Sequence, residues 1–339
     1  MNEGNKSGLK ITGEIVKEYL TRFPKLGALT LAKKIYAENS SVYTDVEHVR
    51  SRIRYYLGQS GKEKRAKLGT RDFVRDARTP DYGIPESDAV PWAPVRIPER
   101  FNRGLIFSDN HFPYHDVQAH NAMLDHAVGN KKINFILING DGMDCYQGSR
   151  FIRDPRKRSI SDEIWQWIEF LNILQTTFPG VKIYWKLGNH EERIENYLYI
   201  KAPELLDMEE FQLKNIIKIR GVEGVDVIEH QIMYAGRLPI VHGHEFMAKG
   251  TSPVNPARGL FLKALSSSLT SHHHRTSAHS ETDINEKLMS WWSIGCLCDL
   301  HPYYASVNKW NHGFAIMNVN DQEFEMNNMK IHKGTIYRD

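Results

Sequence analysis

Three short apolar runs in the middle of this chain each end abruptly in acid, amide or imidazole side chains, and no other feature narrows the possible folds as much. Residues 104–107 run into Ser108-Asp109-Asn110-His111, residues 133–138 into Asn139-Gly140-Asp141, and residues 181–187 into Gly188-Asn189-His190-Glu191. Runs of this length, separated by helical stretches at 117–128 and 162–178, read as buried β-strands alternating with helices. Open α/β sheets bind ligands beyond the carboxyl ends of their strands, which is where each run delivers its polar residues. A second series of strand-like segments follows at 225–234, 238–242, 267–270, 288–294, 313–318 and 323–326.

The first 80 residues have a different character. Apolar residues recur at helical spacing in three groups: Ile15, Tyr19 and Leu20, then Leu29, Leu31, Ala32 and Ile35, then Val46, Val49, Ile53 and Tyr56. Pro24 and Gly27 punctuate the first break and Asn39-Ser40-Ser41 the second, and Thr44-x-x-Glu47 is a capping-box signature for the third helix. That helix carries Arg50, Arg52 and Arg54, with Lys62, Lys64 and Arg65 beyond it. Charge is uneven along the chain: residues 1–100 hold 19 Lys/Arg against 13 Asp/Glu, the remainder 25 against 28. A basic three-helix unit of this kind resembles a helix-turn-helix DNA-binding module, with those six residues as candidate DNA contacts. A helical cap or oligomerisation unit is the alternative.

Five prolines between Pro80 and Pro98 mark a linker. The expected organisation is a basic helical domain over 1–78, a Pro-rich linker over 79–103 and an α/β domain over 104–339. No apolar run is long enough to span a bilayer, and the first residues lack a signal-peptide core. Cys145, Cys296 and Cys298 make no disulfide framework, so a reduced, cytoplasmic protein is expected, with the Cys-x-Cys pair packed in an apolar strand over 291–298.

Two more motifs complete the pattern, His242-Gly-His244 and Ser271-His272-His273-His274. Hard carboxylates mixed with imidazoles and an amide suit Mn, Fe or Zn. The order Asp-x-His, Gly-Asp-x-x-Asp, Gly-Asn-His-Glu, His, then x-His-x-His, over about residues 104–319, resembles the calcineurin-like metallophosphoesterases, and among them the DNA-repair nucleases. The resemblance implies two packed mixed β-sheets flanked by helices, an α/β/β/α sandwich, here preceded by a small all-α domain. It implies two divalent metal ions, with Mn favoured and Fe or Zn as alternatives, and hydrolysis by a hydroxide bridging them. Carried over, it puts Asp109, His111, Asp141 and His274 on the first metal, and Asn189, His242 and His272 on the second with Asp141 shared. His190 would be the catalytic histidine and Asp144 the carboxylate that orients it.

Ser271 stands where the family pattern has glycine, and the histidine triplet leaves the ligand pair open to an offset of one. His272 and His274 are preferred because a spacing of two along a strand-like segment puts both on one face. His242 is preferred to His244 because it directly follows an apolar run. Arg150, Arg193, Arg258 and Arg275 are candidate phosphate contacts, or else surface ion pairs. Trp291, Trp292, Tyr303, Tyr304 and Trp310 read as core packing in preference to base stacking. The favoured function is a DNA nuclease. A small-molecule or cyclic-nucleotide phosphodiesterase or phosphatase is the alternative, and a DNA-binding regulator with a silent site the second. DNA is the expected partner, no membrane is expected, and a dimer is compatible with the sequence.

Overall fold

Apolar side chains three and four residues apart fold the first part of the chain into α1 (Gly4–Arg22), α2 (Ala28–Glu38) and α3 (Val46–Leu57). The computed structural model describes residues 4–57, 87, 89, 92–130, 132–246, 254–320 and 322–338, and the chain divides into two units at Ala89. In the first unit Val16 and Leu20 of α1, Leu31 and Ile35 of α2, and Val49 and Ile53 of α3 share one core. Burying each such aliphatic side chain contributes roughly 1.5–3 kcal/mol. Asp45 caps α3, its carboxylate accepting the His48 N–H at 2.6 Å. The cap therefore lies one residue beyond the expected Thr44, whose hydroxyl meets the His48 ring at 3.2 Å instead. Arg50 and Arg54 pair with Glu47 at 3.2 and 3.6 Å, and Arg52 is half-buried. Lys62, Lys64 and Arg65 lie outside the described residues, as do linker residues 79–86, 88, 90 and 91.

The second unit runs β1 (Val95–Arg96), β2 (Arg103–Phe107), α4 (Val117–Gly129), β3 (Phe135–Asn139), α5 (Ile160–Thr177), β4 (Lys182–Lys186), α6 (Glu192–Lys201), α7 (Leu213–Ile219), β5 (Val225–Ile228), β6 (Met233–Ala235), β7 (Leu238–Ile240), α8 (Pro256–Ala264), β8 (Ser268–Thr270), β9 (Ser277–Thr282), β10 (Leu288–Ser293), β11 (His312–Asn320), β12 (Glu323–His332) and β13 (Thr335–Arg338). One sheet has the order β13-β12-β11-β2-β3-β4-β5, the other β1-β6-β7-β8-β10-β9. In the first, β2 to β5 are parallel and β11 to β13 antiparallel.

Period-two alternation decides which face each strand residue joins. Along β3, Ile136 and Ile138 enter a core with Met123 of α4 and Trp167 and Leu171 of α5. Phe135 and Leu137 face the other way, into a core shared with Leu238, Ile240 and Leu269 of the second sheet. Beyond that sheet, Ala257 and Leu260 of α8 cover Val241 and Trp291. The layers are helix, sheet, sheet, helix, the α/β sandwich with mixed sheets expected from the sequence.

Two strand expectations change. The segment 225–234 is two strands: β5 edges the first sheet, β6 lies in the second, and residues 229–232 carry the chain between them. β10 stops at Ser293, so Cys296 and Cys298 lie in a buried segment after it, joined by isolated bridges to His312 and His115. Val95 and Arg96, at the end of the Pro-rich stretch, pair with Met233 and Tyr234. No helix among the described residues is long and apolar enough to cross a membrane.

Candidate metal centre

The chain curls tightly where it leaves each strand, and the curls turn polar side chains back over the ends of β2, β3, β4, β7 and β8. Asp109, His111, Asp141, His272 and His274 all take left-handed backbone, with φ of 52°, 49°, 52°, 68° and 54°. That region is sparse for residues with a Cβ, and Asp, Asn and His tolerate it best. The histidine triplet follows β8 as a loop rather than continuing the strand. His272 and His274 reach the centre through this alternating curl, pinned by the His273 N–H donating to the Ser271 carbonyl at 2.7 Å, and not through strand alternation.

Asp141 sits in the middle. Its Oδ1 accepts the backbone N–H of His190 at 3.0 Å. Its Oδ2 faces Nε2 of His242 at 3.2 Å, of His111 at 3.8 Å and of His190 at 3.9 Å. To one side, His274 Nε2 lies 3.2 Å from Asp109 Oδ1 and 3.1 Å from His111 Nε2. To the other, donor atoms of Asp141, His242 and His272 lie within 4.8 Å of one another, as do those of Asp109, His111 and Asp141. Asn189 Oδ1 is shielded from solvent with no partner, and the equally shielded Asp109 Oδ1 and His242 Nε2 meet only the ion-pair contacts just given. An acceptor orphaned in this way is costly unless something cationic satisfies it. The donor set fits two divalent ions sharing Asp141.

The electrostatics agree. Burial works against charge on His242, but the Asp141 and Asp109 carboxylates outweigh it and carry the imidazole up to about 10. His274 follows the same course beside Asp109, to about 9. His272, where burial dominates, falls to about 3. Burial opposes ionisation of Asp109 and Asp141 as well, yet the surrounding imidazoles hold both below the usual carboxylate range. The carboxylates stabilise positive charge at His242 and His274, while burial lowers the pKa of His111 and His272.

Asp144 serves two imidazoles at once. Its Oδ1 lies 3.1 Å from His190 Nδ1 and 3.2 Å from His111 Nδ1, so each ring turns its Nε2 toward Asp141. Arg193 completes the corner, donating to the Asp144 carbonyl and to His190 Nε2, both at 2.8 Å. Of the four arginines proposed from sequence, it is the one that meets these catalytic candidates. Arg150 is exposed beside Phe151, Arg258 is exposed on the first turn of α8, and Arg275 is half-buried behind His274. His244 bonds Glu192 at 2.8 Å, its ring 5.3 Å from that of His242.

Several residues support the site in roles the sequence does not show. Buried Glu191 accepts the backbone N–H of Asp141, Met143 and Gly188, tying two curls together. Its signal was its place in Gly-Asn-His-Glu. Glu245 accepts the N–H groups of His242 and Gly243 and pairs with fully buried Lys186 at 2.9 Å; a lysine in an apolar run was the clue. Ser271, where glycine was expected, uses its hydroxyl. It bonds the Asn139 carbonyl at 2.9 Å and meets His242 Nδ1 at 3.0 Å. Cys298 is more than packing, since its sulfur lies 3.8 Å from His274 Nδ1. Tyr303 and Tyr304 are not core residues either: they are 102% and 73% exposed.

Gly188 leaves no room for a side chain. A Cβ there would stand 2.2 Å from Asp141 Oδ1 and 2.6 Å from its backbone nitrogen. Gly188→Ala is expected to destabilise the protein by about 1–3 kcal/mol and, by displacing Asp141, to weaken metal binding roughly 10- to 100-fold. Denaturant melts and metal titration of the variant check both effects.

The calcineurin-like phosphoesterase family model matches residues 103–313, well over half of the chain. Solved structures similar to it include Vps29 of Entamoeba histolytica complexed with Zn (14% identity, 70% of this chain and 97% of that one, TM-score 0.36). Vacuolar Protein Sorting 29 of Cryptosporidium parvum is similar at 15% identity, over 70% and 95% of the two chains, with a TM-score of 0.39. No curated protein matches. With its strand-end carboxylates and imidazoles and the match over residues 103–313, the chain belongs to the calcineurin-like phosphoesterases, metal-dependent hydrolases of phosphate esters.

Proposed function

We propose that the protein is a nuclease that hydrolyses DNA phosphodiester bonds. The observation that carries this reading is the joining, in one chain, of a phosphoesterase donor set to a helical unit within the basic first 100 residues, where 19 Lys/Arg stand against 13 Asp/Glu. Asp109, His111, Asp141 and His274 would hold one ion, and Asn189, His242 and His272 the other, with Asp141 shared; Mn is the working choice. Such ions, when bound, supply a water that ionises near neutral pH and positive charge against the phosphate oxygens.

The chain's own residues do the rest. His190 gives a proton from Nε2 to the departing oxygen, while Asp144 holds its Nδ1 side. Burial disfavours the imidazolium, but Asp141 and Asp144 raise the His190 pKa above the ordinary imidazole value, with Arg193 working the other way. A phosphate oxygen that draws Arg193 off Nε2 would relieve that opposition when substrate arrives. The shielded, unpartnered Asn189 Oδ1 counts against a silent site.

Incubation of the full-length protein with Mn and linear duplex, circular or single-stranded DNA is the direct test. We expect cleavage of at least one form, stopped by EDTA. Hydrolysis of bis(p-nitrophenyl) phosphate or of free nucleotides with every DNA form left intact would instead support the small-molecule phosphodiesterase.

A further inference from the structure

Next to the corner formed by His190 and Asp144 lies a surface that this chemistry does not use. Residues 150–158, Arg-Phe-Ile-Arg-Asp-Pro-Arg-Lys-Arg, hold five basic residues and one acid. The loop is rooted on the turn that follows Asp144. Tyr146 accepts the Asp154 N–H through its hydroxyl at 3.0 Å, and Gln147 donates to the Asp154 carbonyl at 3.2 Å. Arg156 is held by Asp154, and Arg150, Arg156, Lys157 and Arg158 are exposed. Between the cations, Phe151 and Ile152 stand 68% and 101% exposed.

A second exposed group rises from the His274 side. The Trp310 ring lies 4.1 Å from that of His274, and Tyr304 lies 6.4 Å from Trp310. Tyr303, in the same turn, is fully exposed. Tyr114 touches the segments that carry both groups: its carbonyl accepts the Asp299 N–H at 2.8 Å and its ring lies 5.6 Å from the Lys157 ammonium.

We infer that this rim binds single-stranded nucleic acid, with the 150–158 loop taking the phosphates and Tyr303 and Tyr304 stacking on unpaired bases. Large apolar side chains left in solvent beside a reactive site mark a binding surface. Cations interleaved with exposed rings match a strand that carries a charge and a π-face at every nucleotide. A duplex satisfies only the cations, since its bases are already stacked. The inference rests on the reading that the site acts on nucleic acid, and it narrows that reading to strands whose bases are unpaired near the scissile bond.

The test uses the full chain in EDTA, so that nothing is cleaved. A single-stranded oligonucleotide carrying 5-iododeoxyuridine is photocrosslinked and the adducts are mapped by mass spectrometry. Adducts on Tyr303 or Tyr304 are expected. Adducts confined to residues 1–80 would overturn the proposal. In parallel, anisotropy of a labelled hexanucleotide is compared between wild type and Tyr303→Ser/Tyr304→Ser. We expect a loss of about tenfold or more for the single strand and no change for a short duplex. Arg150→Ser/Arg158→Ser should weaken both and flatten the salt dependence of single-strand binding by about 0.7 per lost phosphate contact. Equal loss on duplex and single strand in the tyrosine variant would overturn the stacking role, as would tighter binding of an acidic phosphopeptide to the same rim. If DNA is cleaved but the rim variants bind normally, the rim proposal fails and the nuclease reading stands. If the rim binds strands that are never cleaved, the nuclease reading fails and the rim stands.

Discussion

Asp141→Ala will leave the protein with neither metal ion and with turnover reduced by about 1,000-fold or more. The size follows from what the ions supply: several kcal/mol of charge stabilisation, at about 1.4 kcal/mol for each factor of ten in rate. Loss at both positions, not one, is the distinctive part. Asp141 Oδ2 is the oxygen that His242 approaches from one side and His111 from the other, so its removal strips a ligand from both groups. Elemental analysis after dialysis against limiting Mn is the measurement. Wild type should retain two equivalents and the variant close to none. One retained equivalent would show that Asp141 does not bridge, and unchanged occupancy would remove it from the ligand set. Asn189→Ala is the matching control, expected to deplete the second position alone.

His190→Ala should behave in the opposite way, with metal content unchanged and kcat reduced by about 10²–10⁴-fold. Metal is retained because His190 holds Asp141 through its backbone N–H, which alanine keeps. The imidazole must be protonated to act as an acid, so wild-type activity should fall as pH rises through its pKa. With Asp141 committed to the ions, Asp144 on the Nδ1 side is what supports the protonated ring, and its removal should move that limb to lower pH. The variant should lose the alkaline limb. It should also lose less activity on p-nitrophenyl esters, whose leaving group needs little protonation, than on DNA. A variant equally impaired on both, with an unaltered pH profile, would exclude proton transfer by His190.

The readable parts of this chain were those governed by local pattern. Buried parallel strands announce themselves as short apolar runs, and ligand-rich turns follow them directly, so the sequence alone places Asp109, Asp141 and His190 on strand ends. What depended on distant partners was hidden. Nothing local in the segment 225–234 says that β5 and β6 belong to different sheets. Lys186 and Glu245 are 59 positions apart in sequence yet form one buried pair. Asp45 takes the cap from Thr44 because the helix begins one residue later than the Thr-x-x-Glu pattern implies. His272 and His274 were selected for a geometry the segment does not have. Tyr303 and Tyr304 looked like core residues because composition cannot show which rings a turn carries into solvent.

The left-handed curls restrict how this centre could be altered. At Asp109, His111, Asp141, His272 and His274 the backbone accepts Asp, Asn, His and Gly far more readily than longer or branched residues. Each non-glycine residue held there costs about 1–3 kcal/mol, which the surrounding contacts must offset. A laboratory search for a variant tuned to a different ion thus has a small alphabet at these five positions. Exchanges among Asp, Asn and His keep the curl, whereas β-branched residues would strain the loop that is meant to present it. Retuning the ion preference will be easier at Asn189 and His242, or at the sulfur of Cys298 behind His274, than at the curled ligands themselves.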